Sequence, residues 1–240
     1  MSFEKTLIII PTYNERDNVL KMIDAVARVS AKLSVLIIDD NSPDGTAEEV
    51  VKAQKENTHL HLIKREKKLG LGSAYVEGFQ FALNGPYEFI FEMDCDFSHD
   101  PHDIPQLLAA ANEHDLVIGS RYIDGIRIIN WPLKRLLVSS FAAWYCRTIT
   151  GMPLKDGMGG FKCFRRKTLE SLNLSKVYSG GYSFQIEMNY KVYSKGCSIV
   201  EVPIIFYERR EGKSKMDLKV ILEAIMVVFK LRLRKILGLL

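Results

Sequence analysis

Short apolar runs alternate with longer stretches of helical spacing through the first half of the chain. The runs are 6–10, 34–38, 59–63 and 87–93, and the helical stretches between them are 18–29, 45–54 and 72–83. This pattern is typical of strands joined by crossover helices, the arrangement of a parallel sheet. We therefore predict an α/β fold with a mainly parallel central sheet and crossover helices on both faces.

Three polar clusters follow three of these predicted strands. They are Pro11-Thr12-Tyr13-Asn14-Glu15, Asp39-Asp40-Asn41-Ser42 and Asp94-Cys95-Asp96. In an open parallel sheet, ligands bind outside the carboxyl ends of the strands. We therefore expect the three clusters to form one site.

The pair Asp94 and Asp96 predicts a metal ion. Two neighbouring carboxylates just past a buried strand do not both stay ionised cheaply without a cation beside them. Mg²⁺ or Mn²⁺, held by one or two carboxylates and by substrate phosphates, is the usual solution, and it would neutralise a departing diphosphate. The simpler alternative makes one of the two an ordinary loop residue, and we favour the metal role for Asp96.

Asp39 and Asp40 come directly after the apolar run 34–38. Turn and helix-start chemistry accounts for the next polar residues, Asp44 to Thr46, but not for these two carboxylates. A carboxylate at a strand end can accept hydrogen bonds from a base N–H or a ribose hydroxyl. We therefore predict that Asp39 and Asp40 bind a nucleotide.

The basic charge of the chain is concentrated at its C-terminus. Residues 208–240 carry nine Lys and Arg against four Asp and Glu, whereas the preceding 207 residues have a net charge of −1. A basic end favours an anionic partner, and the candidates are nucleic acid, lipid phosphate and a membrane surface.

Residues 216–240 are apolar but interrupted by charge, and their longest uncharged run, 224–229, has six residues. Crossing a bilayer takes roughly 20 mainly apolar residues. Lys219, Glu223, Lys230 and Arg234 share one helical face, which predicts an amphipathic helix on a membrane surface. A helix docked on the core, or a dimer contact, is the alternative.

The termini and cysteines suggest a location. The N-terminus runs into an apolar strand without a basic leader, and the four scattered cysteines include no CxxC pair. Both features favour a reducing compartment. We expect a cytoplasmic protein that is peripherally attached to the cytoplasmic face of a membrane, with a catalytic domain over 1–215 and a surface helix over 216–240.

Motifs across the chain resemble those of family 2 inverting glycosyltransferases. In the first half they are the three polar clusters, Gly70-Leu71-Gly72-x-Ala74, and Met93-Asp94-x-Asp96-x-Ser98-His99. The second half is similar to dolichol-phosphate (polyprenol-phosphate) mannose synthases. Its motifs are Gly119-Ser120-Arg121-Tyr122, Trp131 with Lys134-Arg135 and Ser139, Asp156 with Gly160-Phe161, Gly181-Tyr182-x-Phe184-Gln185-x-Glu187-Met188, Val202-Pro203-Ile204, Arg209 and Gly212-x-Ser214-Lys215.

The resemblance implies a GT-A fold, a GDP-mannose donor, a polyprenyl or dolichyl phosphate acceptor, and Mg²⁺ or Mn²⁺. It assigns donor binding to Pro11, Tyr13, Glu15, Asp39, Asp40, Gly70, Leu71, Asp94, Cys95, Gln185, Glu187, Arg209 and Lys215. The implied metal ligands are Asp94, Asp96 and Ser98, and the implied acceptor-phosphate ligands are Arg121, Arg135 and Ser139. Asp96, Arg121 and Arg135 carry the catalytic roles. Relatives often have Asp-Ala-Asp where this chain has Asp-Cys-Asp.

Three rival functions remain on the sequence. An NAD-dependent enzyme would need G-x-G-x-x-G after the first strand, where Pro11 to Glu15 stands instead. A nucleic-acid or membrane-binding module without activity would leave the carboxylates unexplained, and these would repel nucleic acid. A sister transferase that uses UDP-glucose or UDP-GlcNAc with the same lipid is the closest rival.

Overall fold

A seven-stranded sheet forms the centre of the computed structural model, which describes residues 2–208 and 218–237. The described strands are β1 Thr6–Thr12, β2 Ser34–Asp39, β3 Leu60–Lys64, β4 Phe89–Glu92, β5 Leu116–Ser120, β6 Ile128–Ile129, β7 Lys162–Arg165, β8 Ile199–Pro203 and β9 Phe206–Tyr207. The sheet order is β3-β2-β1-β4-β7-β5-β8, and β7 is antiparallel to both of its neighbours. The prediction of a mainly parallel sheet is confirmed.

Helices cover both faces of this sheet. The described helices are α1 Arg16–Val29, α2 Thr46–Ala53, α3 Leu71–Asn84, α4 Ile104–Ala111, α5 Leu133–Thr150, α6 Arg166–Ser171, α7 Gly181–Ser194 and α8 Leu218–Ile236. Side chains alternate along β1, so that Leu7 and Ile9 face a core built with α3 and α7, whereas Ile8 and Ile10 face a second core built with α1 and α4. Strands buried on both faces explain the continuous apolar runs.

Strands β2, β1 and β4 are neighbours in the sheet and run parallel. Their carboxyl ends therefore lie side by side, and the three polar clusters of the sequence follow these three ends. The three clusters therefore share one edge of the sheet, and their joining in one binding site stays a prediction.

The sequence reading of the second half was less accurate. The sequence from Ser198 to Tyr207 predicts one strand, but the structure has two, since the chain leaves β5 after Pro203 and pairs β9 with β6 in a separate two-stranded sheet. Proline has no backbone N–H to continue the ladder, which favours the break there. Strand β5, next to β8 and β7, was not predicted.

Helix α8 packs against α5 and α7. Val228 and Leu231 are buried in the core, and the Tyr145 hydroxyl donates to the carbonyl oxygen of Ile225 over 3.4 Å. Within the predicted range 216–240 the structure describes a helix over Leu218–Ile236, and one of its faces is docked on the core, as the alternative held. Within the described ranges, no helix is long and apolar enough to span a bilayer.

Candidate active site

One cavity lies where the sheet edge with β4 meets helices α5, α7 and α8. It brings together seven residues that were expected to form the site, although they come from distant parts of the chain: Leu71, Asp94, Ser98, Arg121, Arg135, Ser139 and Gln185. Acidic and basic side chains thus line the same space, which is suited to a ligand with phosphate groups and a cation.

The acidic loop after β4 has an unusual backbone. Phe97 has a φ of 59°, a left-handed conformation that is costly for a residue with a bulky side chain. The loop is closed by the backbone N–H of Ser98, which donates to Asp96 Oδ1 over 3.0 Å. The side chain of Asp94 is partly exposed toward the cavity, whereas Asp96 is buried. The strained turn therefore holds the Asp94 carboxylate at the cavity, with the Asp96 carboxylate buried two residues further along the chain.

His99 is a site residue that the sequence reading missed. Its ring is buried against Phe161 and Phe206, and its Nδ1 accepts the backbone N–H of Asp94 over 3.3 Å. Burial lowers the pKa of His99 to about 4, with Arg121 acting in the same direction. A neutral ring with Nδ1 as acceptor fixes the backbone of Asp94. No spacing pattern could have revealed this role.

Asp39 does not face open space. Its side chain is fully buried and accepts hydrogen bonds from the Thr12 hydroxyl at 3.0 Å, and from the Ser42 backbone at 2.8 Å and hydroxyl at 2.6 Å. The Ser42 hydroxyl in turn accepts the backbone N–H of Asn14 at 3.0 Å. Asp39 therefore joins the loops after β1 and β2, and its contact with a nucleotide stays a prediction.

Asp40 fastens a third loop to the same edge. It accepts from Arg65 at 2.9 Å and from the backbone N–H groups of Leu69 and Gly70 at 3.1 and 2.7 Å. Burial opposes ionisation, but these donors outweigh it and hold the pKa of Asp40 below its usual value. Gly70, at a φ of 92°, then starts α3 and brings Leu71 to the cavity. Asp40 therefore holds the loop that carries Leu69 and Gly70 at the carboxyl edge of the sheet.

Of the other residues predicted to bind the donor, Pro11, Tyr13 and Glu15 lie around the end of β1. Pro11 is partly buried within the strand, and the Tyr13 ring has Lys68 Nζ 3.5 Å from its centroid. Glu15 accepts from Asn18 over 2.9 Å at the start of α1. Cys95 is buried among apolar side chains, so its thiol is a core group and only its backbone is placed near Asp94.

At the basic end, Arg121 is held by Asp156. Its Nε and Nη2 each donate to one oxygen of this carboxylate over 2.7 Å, and its backbone N–H adds a bond of 3.0 Å. Asp156 is fully buried, and Glu201 accepts its backbone N–H over 2.7 Å. The guanidinium therefore lines the cavity in a fixed orientation, which suits a phosphate ligand.

Arg135 and Ser139 follow one helical turn apart on α5. The Arg135 guanidinium lies 3.9 Å from the centroid of the Trp131 ring and donates to Glu208 over 3.0 Å. Ser139 accepts from the Tyr122 hydroxyl over 2.8 Å. Both side chains line the cavity together with Arg121, as the motif order predicted.

Gln185 and Glu187 lie two residues apart on α7, so their side chains leave nearly opposite sides of the helix. Gln185 lines the cavity, whereas Glu187 is buried and accepts the backbone N–H groups of Tyr178 and Ser179 at 3.1 and 2.9 Å. Its ion pair with Lys191 spans 3.3 Å. Glu187 holds the loop before α7 in this structure, and its binding of the donor stays a prediction. Arg209, Ser214 and Lys215 lie outside the described residues.

The cavity opens between apolar side chains of α5 and α8. Phe141, Tyr145, Ile225 and Val228 line this part of the cavity, and Phe141 is more than half exposed. The polar end of the cavity is thus connected to the surface through an apolar opening.

This fold and this site define a class of protein. A mainly parallel sheet with a strained acidic loop at its edge and a basic cavity beside it is the arrangement of a glycosyltransferase that uses nucleotide sugars. The family model described as Glycosyl transferase family 2 matches residues 7–172, and the chain belongs to that family.

Two sequence relatives and one solved structure are similar to this chain. The chain is 42% identical over 229 residues to the polyprenol monophosphomannose synthase of Mycolicibacterium smegmatis, with 94% of this chain and 86% of the relative covered. It is 39% identical over 224 residues to the undecaprenyl-phosphate mannosyltransferase of Micrococcus luteus, with 93% and 92% covered. A mannosyltransferase from Pyrobaculum calidifontis, solved with GDP-mannose and Mn²⁺, shares the fold at a TM-score of 0.58 and 17% identity, with 98% and 74% covered.

Proposed function

We propose that this protein transfers mannose from GDP-mannose to a polyprenyl or dolichyl phosphate, with inversion at the sugar. The observation that carries the proposal is the single cavity, which joins the acidic loop, two arginines and an apolar opening. The acidic loop suits a nucleoside diphosphate bound through a cation. The two arginines suit a phosphate monoester, and the apolar opening suits a polyprenyl chain. The names of the two sequence relatives support mannose as the sugar and a polyprenyl phosphate as the acceptor.

The proposed reaction is a single displacement. An oxygen of the lipid phosphate forms a bond to the anomeric carbon, while the bond from that carbon to the diphosphate breaks and GDP leaves with its electron pair. The phosphate is already an anion, so the reaction needs no general base. Arg121 and Arg135 orient it, and catalysis is mainly positioning and charge stabilisation.

We further propose that Asp94 and Asp96 hold Mg²⁺ or Mn²⁺ together with the donor diphosphate. Among the described residues, no three His, Cys, Asp or Glu side chains converge as a protein-only metal cluster. Two carboxylates completed by phosphates and water fit a hard cation of this kind. His99 is not part of this donor set, because its Nδ1 already accepts from the Asp94 backbone. The bound cation would neutralise charge on the departing diphosphate.

The direct test compares donors and acceptors. With a polyprenyl phosphate in detergent, we expect turnover from GDP-mannose and at most slight turnover from UDP-glucose or UDP-GlcNAc, measured as radiolabelled sugar in the lipid phase. Preferred use of a UDP sugar would support the sister transferase instead. Absence of lipid product with all three donors would remove the proposed activity.

Replacing Arg135 should weaken the use of lipid phosphate and leave GDP binding nearly intact. Loss of a charge-assisted hydrogen bond costs about 1.5–3 kcal/mol, or roughly a 10- to 150-fold fall in kcat/KM for the acceptor. Lys134→Ala is the matched control, because Lys134 is the exposed neighbour on the same helix. If Arg135→Ala lost GDP affinity in calorimetry and kept its acceptor KM, the assignment of this end of the cavity would be wrong.

We also propose that the protein attaches peripherally to the cytoplasmic face of a membrane through α5 and α8. Leu133, Leu137, Phe141 and Trp144 recur on one face of α5, and each is more than half exposed. Exposed apolar residues of α8, such as Phe229, alternate with exposed basic residues. Phe141 and Ile225 are exposed and also line the cavity, so this face leads to its opening. An acceptor with a long polyprenyl chain stays in the bilayer, and the enzyme must approach it there.

The double variant Leu133→Ser/Leu137→Ser tests this attachment without removing a buried side chain. We expect less co-sedimentation with anionic liposomes, and a larger fall in turnover with a bilayer-embedded acceptor than with a short, water-soluble analogue. Added salt should release part of the wild type, because surface attraction is screened. Val51→Ser, at an exposed apolar residue of α2, is the control. Unchanged sedimentation of the double variant would argue against membrane contact by α5.

A further inference from the structure

Lys162 is a fully buried lysine beneath the candidate active site. It lies on β7, directly opposite Glu92 of β4, and neither side chain is exposed. Burial lowers the pKa of Lys162 to about 8, although Glu92 and Asp156 act in the opposite direction. A lysine this deeply buried is rare unless it is paired, and the reaction proposed above does not use it directly.

The ammonium group of Lys162 is bonded to one residue of the cavity. It donates to the carbonyl oxygen of Gln185 over 3.2 Å and, through a short hydrogen bond, to the side-chain Oε1 of the same residue. Lysine has donors and no acceptor, so the amide oxygen of Gln185 must face it. The amide nitrogen of Gln185 is thereby turned away from Lys162.

The lining of the cavity locates that nitrogen. A Cβ atom added to Gly160 would lie 3.9 Å from Gln185 Nε2 and 3.7 Å from Asp94 Oδ2, so both groups border the same space in the cavity. The amide oxygen of Gln185 therefore faces Lys162, and its nitrogen borders the cavity.

We propose that Lys162 is a positioning residue for the transfer reaction: it fixes the Gln185 amide so that an N–H group points toward a hydroxyl oxygen of the transferred sugar. The inference rests on the proposed function and adds a specificity role to its site. Without Lys162 the amide can rotate and present its oxygen, which cannot donate to the sugar.

The test is a double-mutant cycle on the full-length protein. Lys162→Met keeps the length of the side chain and removes its donors, whereas Lys162→Arg keeps a donor-only group and is the matched control. Lys162→Met should lower kcat with GDP-mannose about 3- to 10-fold, the range for one hydrogen bond, with an unchanged calorimetric Kd for GDP, which lacks the sugar. Lys162→Arg should retain most of the activity, and Lys162→Met should have no further effect in a Gln185→Ala background.

Gln185→Glu gives a second measurement that does not depend on replacing a buried lysine. It keeps an acceptor for Lys162 but replaces the amide donor, so kcat should fall as far as in Gln185→Ala. Full activity of Gln185→Glu, or additive effects of Lys162→Met and Gln185→Ala, would overturn the positioning role. Failure of the wild type to form mannosyl lipid would instead contradict the proposed function, so the two failures are distinguishable.

Discussion

Asp96→Asn is expected to reduce mannosyl transfer by on the order of 10²- to 10³-fold, the usual effect of losing one group that stabilises developing charge. The variant keeps an oxygen for the Ser98 backbone N–H, which now donates to Asp96 Oδ1 over 3.0 Å, so the loop can hold its shape. What is lost is the negative charge proposed to hold the metal beside the diphosphate. EDTA should have the same effect on the wild type, with recovery on addition of Mg²⁺ or Mn²⁺.

Steady-state turnover with and without added cation checks this result. Asp103→Asn is the control, because Asp103 lies close by in sequence and its carboxylate accepts a hydrogen bond from the Gln106 side chain over 2.6 Å. Full turnover of Asp96→Asn, or of the wild type in EDTA, would contradict metal-assisted departure of the diphosphate.

Asp156→Ala should have the largest effect on stability among the substitutions considered. It leaves the buried Arg121 guanidinium without the carboxylate that accepts two of its N–H groups at 2.7 Å. Removing one partner of a buried ion pair costs about 3–5 kcal/mol in the free energy of unfolding. For a chain of this length that corresponds to a fall in Tm of roughly 6–20 °C. Acceptor KM should rise as well, because Arg121 loses its fixed orientation.

Thermal and denaturant unfolding measure this loss, and Asp24→Ala is the control. Asp24 forms an exposed ion pair with Arg28 on α1, whose removal should cost at most about 1 kcal/mol. Equal Tm changes for the two variants would show that the Arg121–Asp156 pair does not anchor the basic end of the cavity.

The contribution of Asp156 to stability should also depend on pH in a defined direction. Burial opposes its ionisation, but Arg121 outweighs burial and keeps the pKa of Asp156 below its usual value. A carboxyl whose pKa is lowered by folding stabilises the protein above the pKa of the unfolded chain, about 4, and this stabilisation is lost as the pH falls through the lower folded value. The difference in unfolding free energy between wild type and Asp156→Ala should therefore be constant near neutral pH and narrow in acid.

Local patterns gave much of the fold. The apolar runs that became β1, β2 and β4 are buried on both faces, the run that became β3 is partly buried, and the helices between them were found to within a few residues. Strand β5 and the separate pairing of β6 with β9 were missed, because short strands depend on partners distant in the chain. The antiparallel position of β7 between β4 and β5 likewise depends on partners distant in the chain.

In the candidate site, too, the sequence identified some residues and did not reveal the contacts of others. The acidic loop, the two arginines of the cavity and Ser139 could be found from the sequence, because each stands at a strand end or at helical spacing and matches a family motif. The hydrogen-bond partners of Asp39, Glu187 and His99 could not be found from the sequence. Their side chains are buried, and partners supplied by folding decide whether a buried polar group faces a ligand or satisfies the backbone of a neighbouring loop.

The sequence by itself determined which residue types reach the carboxyl edge of the sheet, since strand ends follow from local hydrophobic periodicity. It also determined the family, through motifs spread along the chain. Only the tertiary structure decided how those residues are held. Asp156 orients Arg121 across 35 positions of sequence, and Lys162 reaches Gln185 across 23. Such pairings arise where β7 lies beside β4 and faces α7, and chain order alone does not specify that contact.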